Sequence, residues 1–319
     1  MKFNRTRGNR LVVFGVLALL AVVPWLITNI YYLHLINLSL LTIILALGLN
    51  LLTGFTGQIS IGHAAFYAIG AYSSAILSTR FGLSFWLSLP LAGLIAAALG
   101  YVIGRPTLRL KGAYLAVASI GIGEITQMVL TNWTGFTGGA LGIKGIKAPS
   151  LIGYDLSSDT AYYYMLAVII LFVYYMISRI IDSELGRAFK SIREDEVAAQ
   201  FMGVDVAKLK VLAFTISTFL AGIAGSLFAH LQGYVSPAGF GFTQSVSFLI
   251  MILAGGLGYK AGPIIGVLLL TFAREGFRSF NDYQLVVYGI LLILIIVFMP
   301  QGIAGYVQKL RVKVKKGVS

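Results

Sequence analysis

The sequence has 319 residues, of which 58% are hydrophobic and only 11% are charged, whereas soluble domains have roughly 45–50% apolar and about 25% charged residues. A soluble fold cannot bury that much apolar surface, so the composition excludes an ordinary soluble domain and predicts a membrane protein. The net charge of +13 comes from short basic segments between apolar runs, a pattern that favours orientation signals and anionic lipid over nucleic acid.

Apolar windows recur along the whole chain. A membrane-spanning helix needs about 20 apolar residues, because the hydrocarbon core is roughly 30 Å thick. The first window follows a basic segment without a small-x-small cleavage site, so we expect an uncleaved span and not a signal peptide. The windows lie at about residues 11–29, 33–53, 58–79, 83–104, 112–131, 161–181, 209–231, 243–258, 262–277 and 283–303.

These windows predict an all-α polytopic membrane protein with about ten transmembrane helices, forming one domain over residues 1–319. The eighth and ninth windows are short and meet at a run of glycines ending in Pro263, which is typical of broken or re-entrant helices. Small residues four apart, from Ser217 to Ala229 and from Gly258 to Gly266, predict close helix packing within the subunit.

The distribution of lysine and arginine predicts the orientation of the chain. With a cytoplasmic N-terminus, 19 of the 24 basic residues fall on the cytoplasmic side, and positive charge near span ends is retained there. Both termini are therefore expected in the cytoplasm. The polar, glycine-rich segment 132–160 is predicted to form an external loop. The five basic residues expected outside are Arg80, Lys144, Lys147, Arg274 and Arg278.

Polar side chains gather at the junction of the second and third windows. Such groups are costly at membrane depth unless they are paired or face water, so this segment is a candidate for lining a translocation path. A cytoplasmic turn with ordinary packing is the alternative. Glu124 is the acidic residue well inside an apolar window, and it is either a structural hydrogen-bond partner or a pore-lining group. The candidate path residues are Asn50, Thr53, Gln58, Ser60, His63 and Glu124.

Residues 184–210 form the longest cytoplasmic loop and have a charged, helical pattern, which indicates a docking element. Glu194, Asp195 and Glu196 are expected at the start of a short helix, where negative charge suits the helix dipole, and Gly203 is expected at its end. The small Ala198 and Ala199 are expected to supply its apolar face.

Several classes of function are excluded or disfavoured by missing motifs. The chain has no phosphate-binding loop of the G-x-x-x-x-G-K-[ST] type, so it is not expected to bind ATP itself. It also has no cysteine, no H-E-x-x-H pair and no histidines at ligand spacing, so we expect no catalytic residue, no metal and no cofactor. An ion-coupled secondary transporter is the competing class, favoured by broken helices and Glu124.

The run TGQISIGHAAFYAIGAY (56–72), with GRAFKSIREDEVAAQFMGVDVAKLKVLAF (186–214) and LAGGLGYKAGPIIG (253–266), resembles permease subunits of branched-chain amino acid ABC importers. The run RLKGAYL (109–115) resembles the larger of the two permease types. The resemblance implies a multi-pass protein of the bacterial inner membrane that works with a second permease subunit, two ATP-binding subunits and an external solute-binding protein. Urea, short amides and other small organic solutes are the alternative substrates.

Within the docking element, the sequence is similar to the E-A-A-x-x-x-G coupling motif of ABC permeases, with Val197 departing from the usual second position. The resemblance implies that residues 184–210 form the coupling loop toward the ATP-binding subunits. The residues expected in this loop are Gly186, Arg187, Arg193, Glu194, Glu196, Ala198, Ala199 and Gly203.

Overall fold

The computed structural model describes residues 21–27, 29–108, 110, 112–151, 154–278 and 301–316, together with the single positions Gly289, Ile293 and Val297. Most of the first predicted window (11–29) and most of the last (283–303) lie outside the described residues.

The described chain is mostly helical. Residues 21–26 form a helical turn, and α1 (Ile30–Leu49) then continues into a π-helical segment (Asn50–Phe55). The helices that follow are α2 (His63–Thr79), α3 (Phe85–Thr107), α4 (Ala113–Asn132), α5 (Thr134–Thr137), α6 (Asp159–Asp182), α7 (Glu184–Glu194), α8 (Glu196–Phe201), α9 (Val206–Gln232), α10 (Phe242–Gly255), α11 (Gly262–Gly276) and α12 (Gly302–Lys316). Two short 3₁₀ turns are at Gly139–Leu141 and Pro237–Phe240.

Short strands order the predicted external loop. β1 (Ile143–Lys144) pairs antiparallel with β4 (Tyr234–Val235), and β2 (Ser150–Leu151) pairs antiparallel with β3 (Tyr154–Asp155). The first pair ties this loop to the chain that follows α9.

Within the described part of the chain, six helical stretches are long and apolar enough to cross a membrane: Ile30–Phe55, Phe85–Thr107, Tyr114–Asn132, Asp159–Asp182, Val206–Gln232 and Pro237–Gly255. Each overlaps a predicted window, so the prediction of a polytopic helical membrane protein is confirmed. The windows at 58–79 and 262–277 contain the shorter helices α2 and α11, of 17 and 15 residues. The total of ten spans stays a prediction.

Helix α9 lies at the centre of the bundle and packs against α1, α2 and α3. Its small residues permit this close approach, because a Cβ added at Gly225 would meet the backbone of Tyr67 and Ala71 in α2. On another face, Gly222 meets the backbone of Ala92 and Gly93 in α3. The prediction that these small residues pack within the subunit is therefore confirmed.

Contacts between helix ends divide the loops into two groups. At one end, His34 Nδ1 at the start of α1 lies 3.0 Å from Asp159 Oδ1 at the start of α6. At the opposite end of α6, Lys260 Nζ lies 2.5 Å from Asp182 Oδ2. The loop 132–160 thus lies at the opposite end of the bundle from the segment 184–210, as predicted. Which end faces the cytoplasm stays a prediction.

Helix α10 begins inside the bundle. Phe240, in the 3₁₀ turn that precedes it, is 3% exposed and packs edge-on against the rings of Tyr67 and Tyr72. Ser245 Oγ, in the first turn of α10, accepts a hydrogen bond of 3.0 Å from the amide of Ala64 at the start of α2. Non-helical backbone at membrane depth is tolerated where protein surrounds it or where it lines a water-filled cavity.

Candidate functional site

The junction between α1 and α2 is built on an irregular backbone. The π-helical segment Asn50–Phe55 ends α1, and residues 57–61 are not helical. Thr53 Oγ1 donates a 3.0 Å hydrogen bond to the carbonyl oxygen of Gln58, and Gln58 Nε2 donates one of 3.0 Å to Thr56 Oγ1. The side chains of Thr53 and Gln58 thus supply hydrogen-bond partners at a place where no regular helix provides them. π-Helical turns of this kind are frequent at functional sites.

His63 anchors the far side of this junction to the central helix. Its Nδ1 lies 3.0 Å from Ser60 Oγ, and its Nε2 lies 2.6 Å from Ser217 Oγ on α9. Ser119 Oγ on α4 accepts a 2.9 Å hydrogen bond from the amide of Ile61. The junction is therefore held by α9 on one side and by α4 on the other.

The five polar side chains predicted here as candidate path residues are enclosed by the protein. Each is at most 5% exposed, and each makes a hydrogen bond within the chain. Their hydrogen bonds hold the shape of the junction, because buried polar groups at membrane depth are costly unless they are paired. Gln58 Oε1 is the exception, since it is buried without a hydrogen-bond partner among the described residues, and Gln58 and Ser60 line a small cavity beside Ser119 of α4. The residues enclosed in this way are Asn50, Thr53, Gln58, Ser60 and His63. At the same junction Gly57 is exposed and Ile59 is 49% exposed.

Glu124 has a different environment from these five residues. It lies on an exposed face of α4, and it has no hydrogen-bond or ion-pair partner among the residues that the structure describes. Only 17% of the apolar window of α4 is buried, the smallest share among the six long helices, so the described residues leave this helix largely uncovered. On the side toward α10, Gln127 Oε1 would lie 3.3 Å from a Cβ placed at Gly241. Both predicted roles of Glu124, the pore-lining group and the structural hydrogen-bond partner, stay predictions.

The predicted docking element folds as two short helices, α7 and α8. Asp195 caps α8, because its Oδ1 accepts hydrogen bonds from the amides of Val197 and Ala198 at 2.8 and 3.0 Å. Such a cap satisfies amides that have no partner in the helix. Glu196 lies in the first turn of α8, but Glu194 ends α7, so the prediction that all three acidic residues begin one helix is wrong for Glu194.

The end of helix α8 is as predicted. Gly203 follows α8 with φ of +84°, in the left-handed region that glycine adopts readily. The element is fixed to the bundle by an ion pair between Glu196 and Lys210, which is 5% exposed at the start of α9. Arg187 remains at the surface, paired with Glu184 one turn earlier at 3.4 Å.

The buried side of the docking element determines which residues it can present. Gly186, Phe189 and Ile192 are buried on one face of α7. Ala199 of α8 is also buried, at 4% exposed, so the prediction that Ala199 lies on the presented apolar face is wrong. Ala198 is exposed.

Large apolar side chains project from α8 and the turn after it. Val197 is 55%, Phe201 87% and Met202 84% exposed, and we call these three residues the apolar tip. Exposed large apolar residues in a cluster commonly mark a protein interface. The sequence contains this signal, because Phe201 and Met202 follow Ala199 after one intervening residue, but the alanines and not these two residues match the coupling motif.

Other contributors to the site were missed because they lie far away in sequence. Ser217 and Ser119 are separated from their partners in the junction by 154 and 58 positions. Among the described residues, no group of three histidine, aspartate or glutamate side chains could hold a metal ion.

The family described as "Branched-chain amino acid transport system / permease component" matches residues 31–296. The chain is 39% identical over 306 residues to the high-affinity branched-chain amino acid transport system permease protein LivM of Escherichia coli K12, covering 89% of this chain and 72% of the relative. It is 28% identical over 286 residues to LivH of the same strain, covering 82% and 90%. A probable LivM of Methanocaldococcus jannaschii is 26% identical over 236 residues, covering 67% of each chain. No solved structure matches the chain.

Proposed function

We propose a mechanism by which this chain imports branched-chain amino acids. The chain belongs to the family of branched-chain amino acid transport permeases, and it is similar to LivM, the larger permease type. It is a multi-pass inner-membrane permease subunit of an ABC importer, and ATP is hydrolysed by a separate subunit. The observation that carries this conclusion is the match at 39% identity across 89% of the chain.

The segment 184–210 is the proposed docking site for one of two ATP-binding subunits. The apolar tip at Val197, Phe201 and Met202 is the part that would insert into a groove of the partner, and exposed charges such as Arg187 would fix its register. The ion pair of Glu196 with Lys210 and the buried face of α7 keep the segment stiff. A stiff segment passes a movement of the ATP-binding subunit to the bundle.

The proposed translocation path runs along the exposed face of α4, opposite a second permease subunit. The relatives include both LivM and LivH, which are similar to this chain over most of its length, and this supports a pair of related permeases. A pair would cover the face of α4 that the described part of the chain leaves open. Glu124 lies on that face, and the exposed Gly57 and Ile59 mark the junction that borders it. The enclosed residues Asn50, Thr53, Gln58, Ser60 and His63 would hold this border in shape.

The loop 132–160 is the proposed landing surface for an external solute-binding protein. Lys144, Lys147 and Tyr154 are exposed there, and the pairing of β1 with β4 anchors the loop. Basic side chains on an ordered loop favour a partner with acidic rims.

Reconstitution tests the proposed function. The complex is assembled in proteoliposomes with ATP on the cytoplasmic side of the permease and loaded binding protein on the other side, and uptake of labelled leucine is measured. We expect uptake that needs both ATP and the binding protein, and that unlabelled isoleucine and valine reduce. Uptake driven by a proton or sodium gradient without ATP would instead support a secondary transporter.

A further inference from the structure

Three parts of the chain that are far apart in sequence meet at Arg193, near the end of α7. Arg193 Nη1 donates a hydrogen bond to the carbonyl oxygen of Gly54, in the π-helical segment that ends α1. A Cβ added at Gly258, in the turn between α10 and α11, would collide with the same Nη1 atom. A Cβ at Gly57 would lie 3.4 Å from Arg193 Cγ. The guanidinium of Arg193 thus lies between the end of α1 and the α10–α11 turn.

Asn50 holds the other two parts together without Arg193. Its Oδ1 accepts a 3.0 Å hydrogen bond from the amide of Gly258, and its Nδ2 donates one of 3.0 Å to the carbonyl oxygen of Tyr259. The end of α1 and the α10–α11 turn therefore form one unit. The contact of Arg193 joins this unit to the docking segment.

We propose that Arg193 is a positioning residue that transmits movement of the docking segment to the end of α1 and to the α10–α11 turn. The proposal rests on the proposed role of residues 184–210 in docking an ATP-binding subunit. Both elements that Arg193 touches lead toward the proposed path: the end of α1 continues into the junction with Ile59, and α10 begins beside Gln127 of α4. Movement of α7 would thereby shift the junction and α10 together.

The chemistry of the contact suits an arginine. A guanidinium is planar and always charged and has five N–H donors, so one donor can bind a carbonyl oxygen while its plane packs against a glycine backbone. Gly258 has φ of +77° and Gly54 has no space for a side chain, because a Cβ there would collide with Asn50 Oδ1. The side chain of Arg193 is exposed, so its removal leaves no buried cavity. A coupling role then predicts lost transport with the fold retained.

The experiment compares Arg193→Met with Arg193→Lys in the reconstituted complex. Methionine keeps an unbranched apolar stem but removes the donor, whereas lysine keeps a charged donor that can bind the Gly54 carbonyl oxygen. The measured quantity is leucine transported per ATP hydrolysed, together with co-purification of the ATP-binding subunits and the melting temperature of the permease. Arg179→Ala is the control, because Arg179 lies at the same end of the bundle and its described hydrogen bond is to Tyr175 one turn away in the same helix.

For Arg193→Met we expect about a tenfold fall in transport per ATP, because the charged hydrogen bond that joins α7 to the end of α1 is lost. Co-purification and melting temperature should stay close to wild type, because the side chain is exposed and surface substitutions change stability little. Arg193→Lys should recover at least half of the ratio, and Arg179→Ala should match wild type. A wild-type ratio for Arg193→Met overturns the proposal. Loss of co-purification assigns Arg193 to docking itself, and loss of the folded permease assigns it to stability, so either result also overturns the proposal. The docking role fails separately if variants of the apolar tip assemble normally.

Discussion

Replacing Phe201 by alanine tests which residues of α8 contact the ATP-binding subunit. Phe201 is 87% exposed in the isolated chain, so its ring has almost no contacts of its own to lose. Full burial of a phenylalanine side chain contributes about 1.5–3 kcal/mol. If the partner covers the exposed share of the ring, truncation weakens association by about 2 kcal/mol, which corresponds to a ~30-fold rise in Kd. The permease itself should fold and insert like wild type.

The assay is titration of detergent-solubilised permease pairs with purified ATP-binding subunits, with Kd and the ATPase rate as readouts. A further Met202→Ala substitution, at a side chain that is 84% exposed, should weaken association again. Phe172→Ala is the matched control, because this phenylalanine is 63% exposed on the membrane-spanning helix α6. Wild-type affinity for Phe201→Ala with Met202→Ala would show that the apolar tip does not dock, and would refute the reasoning.

Three other experiments, with four substitutions, test separate parts of the structure. His63→Leu removes the hydrogen-bond partner of two buried serine hydroxyls, and each unpaired hydroxyl costs about 1–3 kcal/mol. The melting temperature of the permease should therefore fall by about 4 °C or more. An unchanged melting temperature would contradict the anchoring role of His63. Glu124→Gln should lower leucine uptake about tenfold, because the carboxylate charge on the proposed path is lost. Assembly and basal ATP hydrolysis should be retained. Wild-type uptake would show that Glu124 is not part of the path. The chain has no native cysteine, so single introduced cysteines can report the orientation. Ser150→Cys should react with an impermeant thiol reagent in intact cells, whereas Lys208→Cys should react only after permeabilisation. The reverse labelling pattern would show the opposite orientation.

The helices were predictable from the sequence because lipid imposes a strong constraint. Only a continuous apolar helix satisfies its backbone in hydrocarbon, so the windows near α1, α3, α4, α6 and α9 coincide with helices within a few residues. The close approach at Gly225 was predictable from small residues four apart, and the end of α8 from Gly203. Both rules depend on local sequence alone.

The direction in which the polar side chains of the junction point was not predictable. Asn50 and His63 satisfy their polar atoms with groups 208 and 154 positions away, and no local pattern encodes such partners. The same reason explains the result at α8. Ala199 matched a motif but packs inward, and the exposure of Phe201 and Met202 depends on how α8 rests on the bundle. The start of α10 inside the bundle likewise depends on its packing against α2.

The central claim is that this chain is the permease through which ATP hydrolysis in a partner drives import of branched-chain amino acids. The most direct measurement is uptake of labelled leucine into proteoliposomes that contain the complete complex, with the Phe201→Ala and Met202→Ala double variant in parallel. The account predicts uptake that depends on ATP and on loaded binding protein, and that falls at least tenfold in the double variant. Leucine uptake that is equal with and without ATP, or equal in the two proteins, would contradict it.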